Sequence, residues 1–161
     1  MLLTNPKIIT SKSELHSLVK SARGKSKIIV FTNGCFDIIH PGHIFILEQA
    51  KAKGDILIVG LNSDSSIKNF KSSDRPICTQ DDRAYVLSAL SCVDYIFIFD
   101  DDTPVKLIED ITPDVLVKGK DYEGKEIAGS KHMLEHNKRI ELVDIIDGKS
   151  TSNIIKTIQK I

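Results

Sequence analysis

The run Phe31-Thr32-Asn33-Gly34-Cys35-Phe36-Asp37-Ile38-Ile39-His40-Pro41-Gly42-His43 sets two imidazoles three positions apart, beside two glycines and a proline. Residue types of this kind suit a phosphate site. Gly34 lets the backbone turn sharply and approach a ligand with no side chain between. Pro41 fits the first helical position, where no N–H partner is lost. Gly42 then stands at a helix start, where free N–H groups and the helix dipole attract anions. His40 and His43 could donate hydrogen bonds to phosphoryl oxygens as charge builds in a transition state. A metal pair or plain capping histidines are the rival readings. With no third ligand close by, and a strand running into an Asn-Gly turn, the pattern favours phosphate.

Four further segments carry polar residues with chemical potential. Asn62-Ser63-Asp64 ends an apolar run and reads equally as a ligand contact or a helix N-cap. Lys68, Lys71 and Arg75 lie in a polar stretch read as a loop. It is either solvated or able to bring cations to a triphosphate. Lys118-Gly119-Lys120-Asp121-Tyr122 follows a predicted strand, and Asp121 would accept from ribose hydroxyls or hold a turn. Ser150-Thr151-Ser152, preceded by Lys149, opens the last predicted helix, where hydroxyls cap. Arg83 stands beside Asp81 and Asp82 on a predicted helix, and an exposed surface charge is its simplest reading. Cys35 has no evident base to make it a nucleophile. Asp100-Asp101-Asp102 reads as a solvated helix entry with Asp102 or Thr103 as cap. His132 and His136 read as surface residues sharing a helix face.

These residues need a frame, and hydrophobic periodicity supplies one. Residues 27–32, 56–61, 95–99, 114–117 and 141–145 are apolar, mostly β-branched runs of strand length. Between them, helices are expected over residues 43–53, 80–90 and 103–110, the last with Pro104 in its first turn, and a closing helix over 150–161. Residues 1–26 read as a helical lead-in, capped by Ser13, running to Ala22 and ended by Gly24. Strands buried on both faces and alternating with helices imply an α/β doubly wound, Rossmann-like sheet of five parallel strands. In such sheets ligands sit beyond the carboxyl ends of the strands. Residues 27–161 would form that domain, with the lead-in before it and a single domain overall.

Composition narrows the partners. Lysine plus arginine and aspartate plus glutamate both number 22 in 161 residues, giving zero net charge. A polymeric nucleic-acid partner normally demands a basic excess, so none is expected. Three cysteines without a C-x-x-C pair argue against a disulfide framework and fit a reducing, cytoplasmic setting. No signal peptide and no membrane-spanning run is expected. No residue cluster is read as a metal site.

His40-Pro41-Gly42-His43 resembles the H-x-G-H signature of the nucleotidyltransferase superfamily, in its cytidylyltransferase-like branch. The resemblance continues through Asn62-Ser63-Asp64, Arg75-Pro76, Arg83-Ala84, Val93-Asp94, Asp102-Thr103-Pro104, Pro113–Gly119, Asp121-Tyr122, Ile127–Ser130 and Ser150-Thr151. That series is similar to the D-glycero-β-D-manno-heptose 1-phosphate adenylyltransferases, in many bacteria the C-terminal half of a bifunctional ADP-heptose synthase. A kinase half is lacking here, so a free-standing form is expected. Two departures stand out: Ser72-Ser73 where the family usually has a glycine after the second lysine, and Lys120 in place of a second glycine.

The resemblance implies ATP as substrate, with Mg²⁺, and a homodimer or higher homo-oligomer. It implies that His40 and His43 stabilise the pentacoordinate α-phosphate and that Lys71 and Thr151 hold the triphosphate tail. Asn33, Gly34, Cys35, Phe36, Gly42, Asn62, Asp64, Arg75, Lys118, Gly119, Asp121, Ser150 and Ser152 would complete the nucleotide site. Asp37 would serve the sugar-phosphate side or orient the loop, and Arg83 would have a structural role or serve the substrate. The expected reaction joins ATP and heptose 1-phosphate into ADP-heptose and pyrophosphate, for lipopolysaccharide core or surface glycans. A cytidylyltransferase acting on glycerol 3-phosphate or a phosphorylated amino alcohol is the nearer alternative. A non-catalytic nucleotide-binding module is the other.

Overall fold

Alternation along the strands sends successive side chains to opposite faces of one sheet. Ile29, Phe31, Ile58, Phe97, Phe99 and Leu116 fill one apolar layer, and Val30, Leu57, Val59, Leu61, Ile96, Val115 and Val117 fill the other. Both faces are therefore covered, as a parallel sheet requires. The computed structural model describes residues 5–71 and 74–161. Ser72 and Ser73, the first departure noted above, lie outside the described residues, as do residues 1–4.

In chain order the elements are β1 (Ile8–Ile9), α1 (Lys12–Gly24), β2 (Ile29–Gly34), α2 (Pro41–Lys51), β3 (Ile56–Asn62), α3 (Asp64–Phe70), α4 (Gln80–Ser88), β4 (Tyr95–Phe99), α5 (Val105–Ile111), β5 (Val115–Gly119), a 3₁₀ turn (Lys120–Tyr122), α6 (Ser130–Glu135), β6 (Arg139–Val143) and α7 (Thr151–Ile158). The sheet order is β1-β4-β3-β2-β5-β6, and every strand pair is parallel. Helices α1 and α5 cover one face through Leu15, Val19, Ala22, Leu107, Ile108 and Ile111. Helices α2 and α4 cover the other through Leu47, Ala50, Ala84 and Leu87.

The doubly wound parallel sheet is as expected, with six strands rather than five. The sixth is β1, whose two residues pair with Ile96 and Phe97 of β4. The lead-in thus contributes both an edge strand and a helix to the sheet. Ser11, not Ser13, caps α1, accepting from the Glu14 N–H at 3.2 Å. The stretch after β3, expected as a loop, opens with helix α3, capped by Ser63 and carrying Lys68. Helix α6 is an addition, and α5 begins without a side-chain cap, Pro104 holding the cap position. Asp102 instead accepts from the Asn69 side chain at 2.7 Å. His132 of α6 and His136, the residue that ends it, lie together with ring centroids 4.0 Å apart.

The topology fixes where a ligand belongs. From β2 the chain moves through β3 to β4, then crosses to β5 on the other side of β2. The seam between β2 and β5 is the switch point of the sheet, and its carboxyl end is open for a ligand.

Candidate active site

Strand β2 runs two residues further than its apolar pattern, so Asn33 and Gly34 are its last positions. The chain then turns through Phe36, which has a left-handed φ of 46°, and enters α2 at Pro41. His40 holds the cap position of α2, but its side chain makes no capping bond. The helix tip is thus not closed by a side chain, and its N–H dipoles face the end of the seam.

The two imidazoles stack at this tip. Their ring centroids are 3.8 Å apart with planes 26° from parallel, and Phe36 packs on His43 at 5.2 Å. Gly42 makes the stack possible. A Cβ there would sit 3.0 Å from the His40 ring and 3.2 Å from the Lys149 carbonyl oxygen. The Nδ1 atoms of both histidines are buried and lack a hydrogen-bond partner. Buried polar atoms are rarely left unpaired, so each marks a place for a ligand or water.

Burial, His40 and the Lys71 ammonium, in that order, push the His43 pKa from 6.5 down to about 4. Burial and Lys149 also lower that of His40. Both rings therefore resist protonation in the free protein. The unfolded chain binds protons at these positions near pH 6.5 while folded His43 does so near pH 4. Stability from this residue is therefore lost as pH falls through that window. A bound polyphosphate reverses the electrostatics. NMR titration is expected to find His43 protonating near pH 4 in the free protein and about a pH unit or more higher with ATP present. An unmoved titration would separate His43 from the phosphates.

Asp37 is expected on the sugar-phosphate side or as a loop organiser, and the structure gives it the second place. Its carboxylate is buried and takes Arg75 Nε at 2.6 Å and the Ile77 and Cys78 N–H groups at 2.8 and 2.9 Å. Those three partners hold its pKa below the usual carboxylate range even though burial, the largest influence, pushes upward. Arg75 is correspondingly buried and pairs with Asp37 through Nε.

Arg83 is not a surface charge. Its side chain is fully buried and donates to the carbonyls of Cys35, Asn62 and Cys78 and, at 2.7 Å, to the Asp64 carboxylate. One guanidinium thereby joins the loop after β2, the end of β3 and the segment before α4. Arg83 and Asp37 thus brace the site through internal hydrogen bonds. Asn62 and Asp64 turn the same way. Asn62 donates to the Ser66 hydroxyl at 3.0 Å, and Asp64 pairs with Arg83.

Other expected residues do reach the open edge. Lys71 is exposed and bears electrostatically on both His43 and Cys35. Thr151 reaches the Ile38 carbonyl at 3.4 Å, which brings the tip of α7 beside the signature loop. Ser150 caps α7 by accepting from the Asn153 N–H, and Ser152 is exposed. Across the seam, Lys118 donates to the Asn33 side-chain oxygen at 2.6 Å. Gly119 leaves room that a Cβ would take from Asp121 and Ile145. Asp121 is exposed, and Lys120 turns outward to pair with Asp144. All three cysteines are free, and burial raises the Cys35 thiol pKa, against nucleophilic use. The Asp37–Arg75 pair has no local sequence signal, because its members are 38 positions apart.

The pattern of the Cytidylyltransferase-like family matches residues 31–157. The chain is 52% identical over 151 residues to the Bifunctional protein HldE of Wolinella succinogenes. It is 54% identical over 151 residues to that of Campylobacter concisus, and 51% over 157 residues to one from Helicobacter pylori. These alignments cover 94 to 98% of this chain. The chain spans about a third of the length of these relatives, 31 to 32%. Among solved structures, the lipopolysaccharide core biosynthesis protein of Thermoplasma volcanium is similar, with TM-score 0.62 and 28% identity over 76% of this chain and 99% of its own. Pantoate-beta-alanine ligase from Francisella tularensis shares the fold with TM-score 0.62 at 16% identity, covering 96% of this chain and 79% of its own. The family pattern takes in the signature loop, the seam and the tip of α7 together, and the protein belongs to the cytidylyltransferase-like family.

Proposed function

We propose that this protein is a sugar-1-phosphate adenylyltransferase that joins ATP and D-glycero-β-D-manno-heptose 1-phosphate into ADP-heptose and pyrophosphate. The observation that carries the reading is the stacked His40–His43 pair at the uncapped tip of α2, with both Nδ1 atoms unsatisfied. About 50% identity to HldE proteins and likeness to a protein described as acting in lipopolysaccharide core biosynthesis support the sugar and its destination in surface glycans.

An oxygen of the sugar phosphate attacks the α-phosphorus of ATP in line. A new P–O bond forms, the α–β bridging bond breaks, and its electron pair leaves with pyrophosphate. The attacking phosphate is already ionised at neutral pH, so no thiol or general base is needed. The protein contributes positioning and charge stabilisation. His40 and His43 donate to the α-phosphate oxygens as charge builds, while the α2 tip supplies N–H dipoles. Lys71 and Thr151 hold the β- and γ-phosphates, with Ser150 and Ser152 at the α7 tip. Asn33, Gly34, Cys35, Phe36 and Gly42 shape the loop around the nucleotide, and Gly119 and Asp121 meet the ribose.

Mg²⁺ would arrive on the triphosphate. Among the described residues no three His, Cys, Asp or Glu side chains converge, which suits an ion held chiefly by phosphate oxygens. Among them, too, no helix is long and apolar enough to cross a membrane. The enzyme works on small dissolved substrates, in the cytoplasm and as a homo-oligomer in this reading.

Pyrophosphate release, measured with ATP and CTP each against heptose 1-phosphate and glycerol 3-phosphate, tests the assignment. Turnover is expected to be greatest for ATP with heptose 1-phosphate. Turnover only with CTP and glycerol 3-phosphate would overturn it. Lys71→Ala is expected to raise KM for ATP by about tenfold or more, the scale of one charge-assisted hydrogen bond. An unchanged ATP titration would remove Lys71 from the tail.

A further inference from the structure

The reaction brings together two anions, and the charges at the site do not serve both. Lys71 and Lys149 are the cations that bear on the paired imidazoles, so they lie on the triphosphate side. Asp37 and Arg83 are committed to internal bonds, and Arg75 shares its charge with Asp37 through Nε. Among the described residues, these commitments leave the phosphate of the attacking sugar in need of a counter-charge.

Lys118 is the group that matches this need. It stands one residue from the carboxyl end of β5, across the switch-point seam from Asn33. It is 7% exposed, yet among the described residues no carboxylate pairs with its ammonium. Its contacts are the Asn33 side-chain oxygen at 2.6 Å, the Asn33 carbonyl at 3.4 Å and the Tyr122 ring, whose centroid lies 5.1 Å away. A buried ammonium whose direct contacts are all neutral, with only the more distant Asp121 carboxylate facing it, is costly to keep charged. A ligand bringing negative charge to the seam would remove that cost.

We propose that Lys118 binds the phosphate of the acceptor substrate, a phosphate monoester dianion, and holds it at the β2–β5 seam for attack. This rests on the adenylyl-transfer reading and deepens it. It moves Lys118 from the nucleotide side, where the resemblance put it, to the acceptor side. Asn33 holds the ammonium in the free protein and shares it with the incoming phosphate.

The burial that pushes the Lys118 pKa from 10.5 down to about 8 gives the proposal a pH signature. Asp121 and Cys35 face this ammonium and raise its pKa in part, while Tyr122 lies beneath it with Lys125 on the same ring. Burial raises the pKa of Cys35 and of Tyr122 above their ordinary values, so neither ionises before Lys118. Acceptor KM should therefore rise as pH climbs past about 8, while KM for ATP does not.

Steady-state kinetics of Lys118→Gln and the wild-type chain, with ATP and heptose 1-phosphate varied in turn, tests this. The expected result is an acceptor KM raised about 10- to 100-fold, as for loss of a charged hydrogen bond, with KM for ATP changed by less than about threefold. An acceptor KM within threefold of wild type, or an equal rise in KM for ATP, overturns the proposal. Should the variant fold poorly, the wild-type pH series decides, and an acceptor KM flat to pH 9 is the contrary result. If wild type turns over no acceptor, the adenylyl-transfer reading itself has failed. Calorimetric titration with inorganic phosphate then tests Lys118 separately. About tenfold weaker binding by Lys118→Gln supports an anion site there, and equal binding rejects it.

Discussion

His43→Ala is expected to lower kcat by about a hundredfold or more, the scale found when one preorganised donor to a developing oxyanion is removed. His43 lies in the first turn of α2, stacked on His40 at 3.8 Å and held by Phe36 at 5.2 Å. Its unpartnered Nδ1 costs stability in the free protein, and below about pH 6.5 the ring's resistance to protonation adds to that cost. Those costs make sense if the ring is kept for a ligand. The alanine variant should therefore fold at least as well as wild type while turning over far more slowly. Most of the loss should fall in kcat, because the hydrogen bond strengthens as the α-phosphate gains charge. Pyrophosphate release at saturating substrates, alongside thermal unfolding, measures both halves. Near-normal turnover in a well-folded variant would refute the role.

Arg83→Met is expected to cost about 3–5 kcal/mol of stability, at about 1–3 kcal/mol for each carbonyl left buried without its donor. The cause is the number of groups that share the guanidinium. Carbonyl oxygens from three separate segments and the Asp64 carboxylate all lose their donor. A carbonyl buried without a donor keeps its full desolvation penalty. Arg83→Lys should recover only part of the loss, since one ammonium cannot reproduce a planar fork. Activity should fall as well, because the Cys35 carbonyl belongs to the loop that carries the imidazoles. At about 2–4 °C per kcal/mol for a chain of this size, thermal unfolding should drop by roughly 10 °C. A midpoint within 2 °C of wild type would mean that the network is not held by Arg83.

The elements that sequence exposes best are those whose signals are local. Strand β4 falls on residues 95–99, as its apolar run predicts. Helix α2 starts two residues earlier than its apolar pattern, at Pro41, where proline and glycine announce a helix entry. The two-residue β1 carries no such signal. It is a strand only because β4 offers an open edge to Ile8 and Ile9. Helix α3 has the cap that Asn62-Ser63-Asp64 offers, Ser63 accepting from the Ser66 N–H, but its polar residues carry no helical apolar period.

The site divides in the same way. The histidine pair, both glycines of the loop and the α7 hydroxyls are contiguous motifs, so spacing alone places them. Arg83 misleads because Asp81 and Asp82 beside it suggest a solvated face, whereas its partners are carbonyls up to 48 residues away. Asp37 and Arg75 form a buried pair that no local pattern matches. Long-range pairing of polar side chains with backbone groups leaves no periodic trace in a sequence, and it is this pairing that braces the loop. Lys118 reads as one more lysine after a strand until the sheet order sets it against Asn33.

The central claim is that the two imidazoles and the α2 tip converge on the phosphorus under attack. A crystal structure with a non-hydrolysable α,β-bridged ATP analogue tests it most directly. The account predicts α-phosphate oxygens about 3 Å from a ring nitrogen of each histidine and from an N–H at the start of α2. A triphosphate lying across the seam with its α-phosphate out of reach of both rings would contradict it.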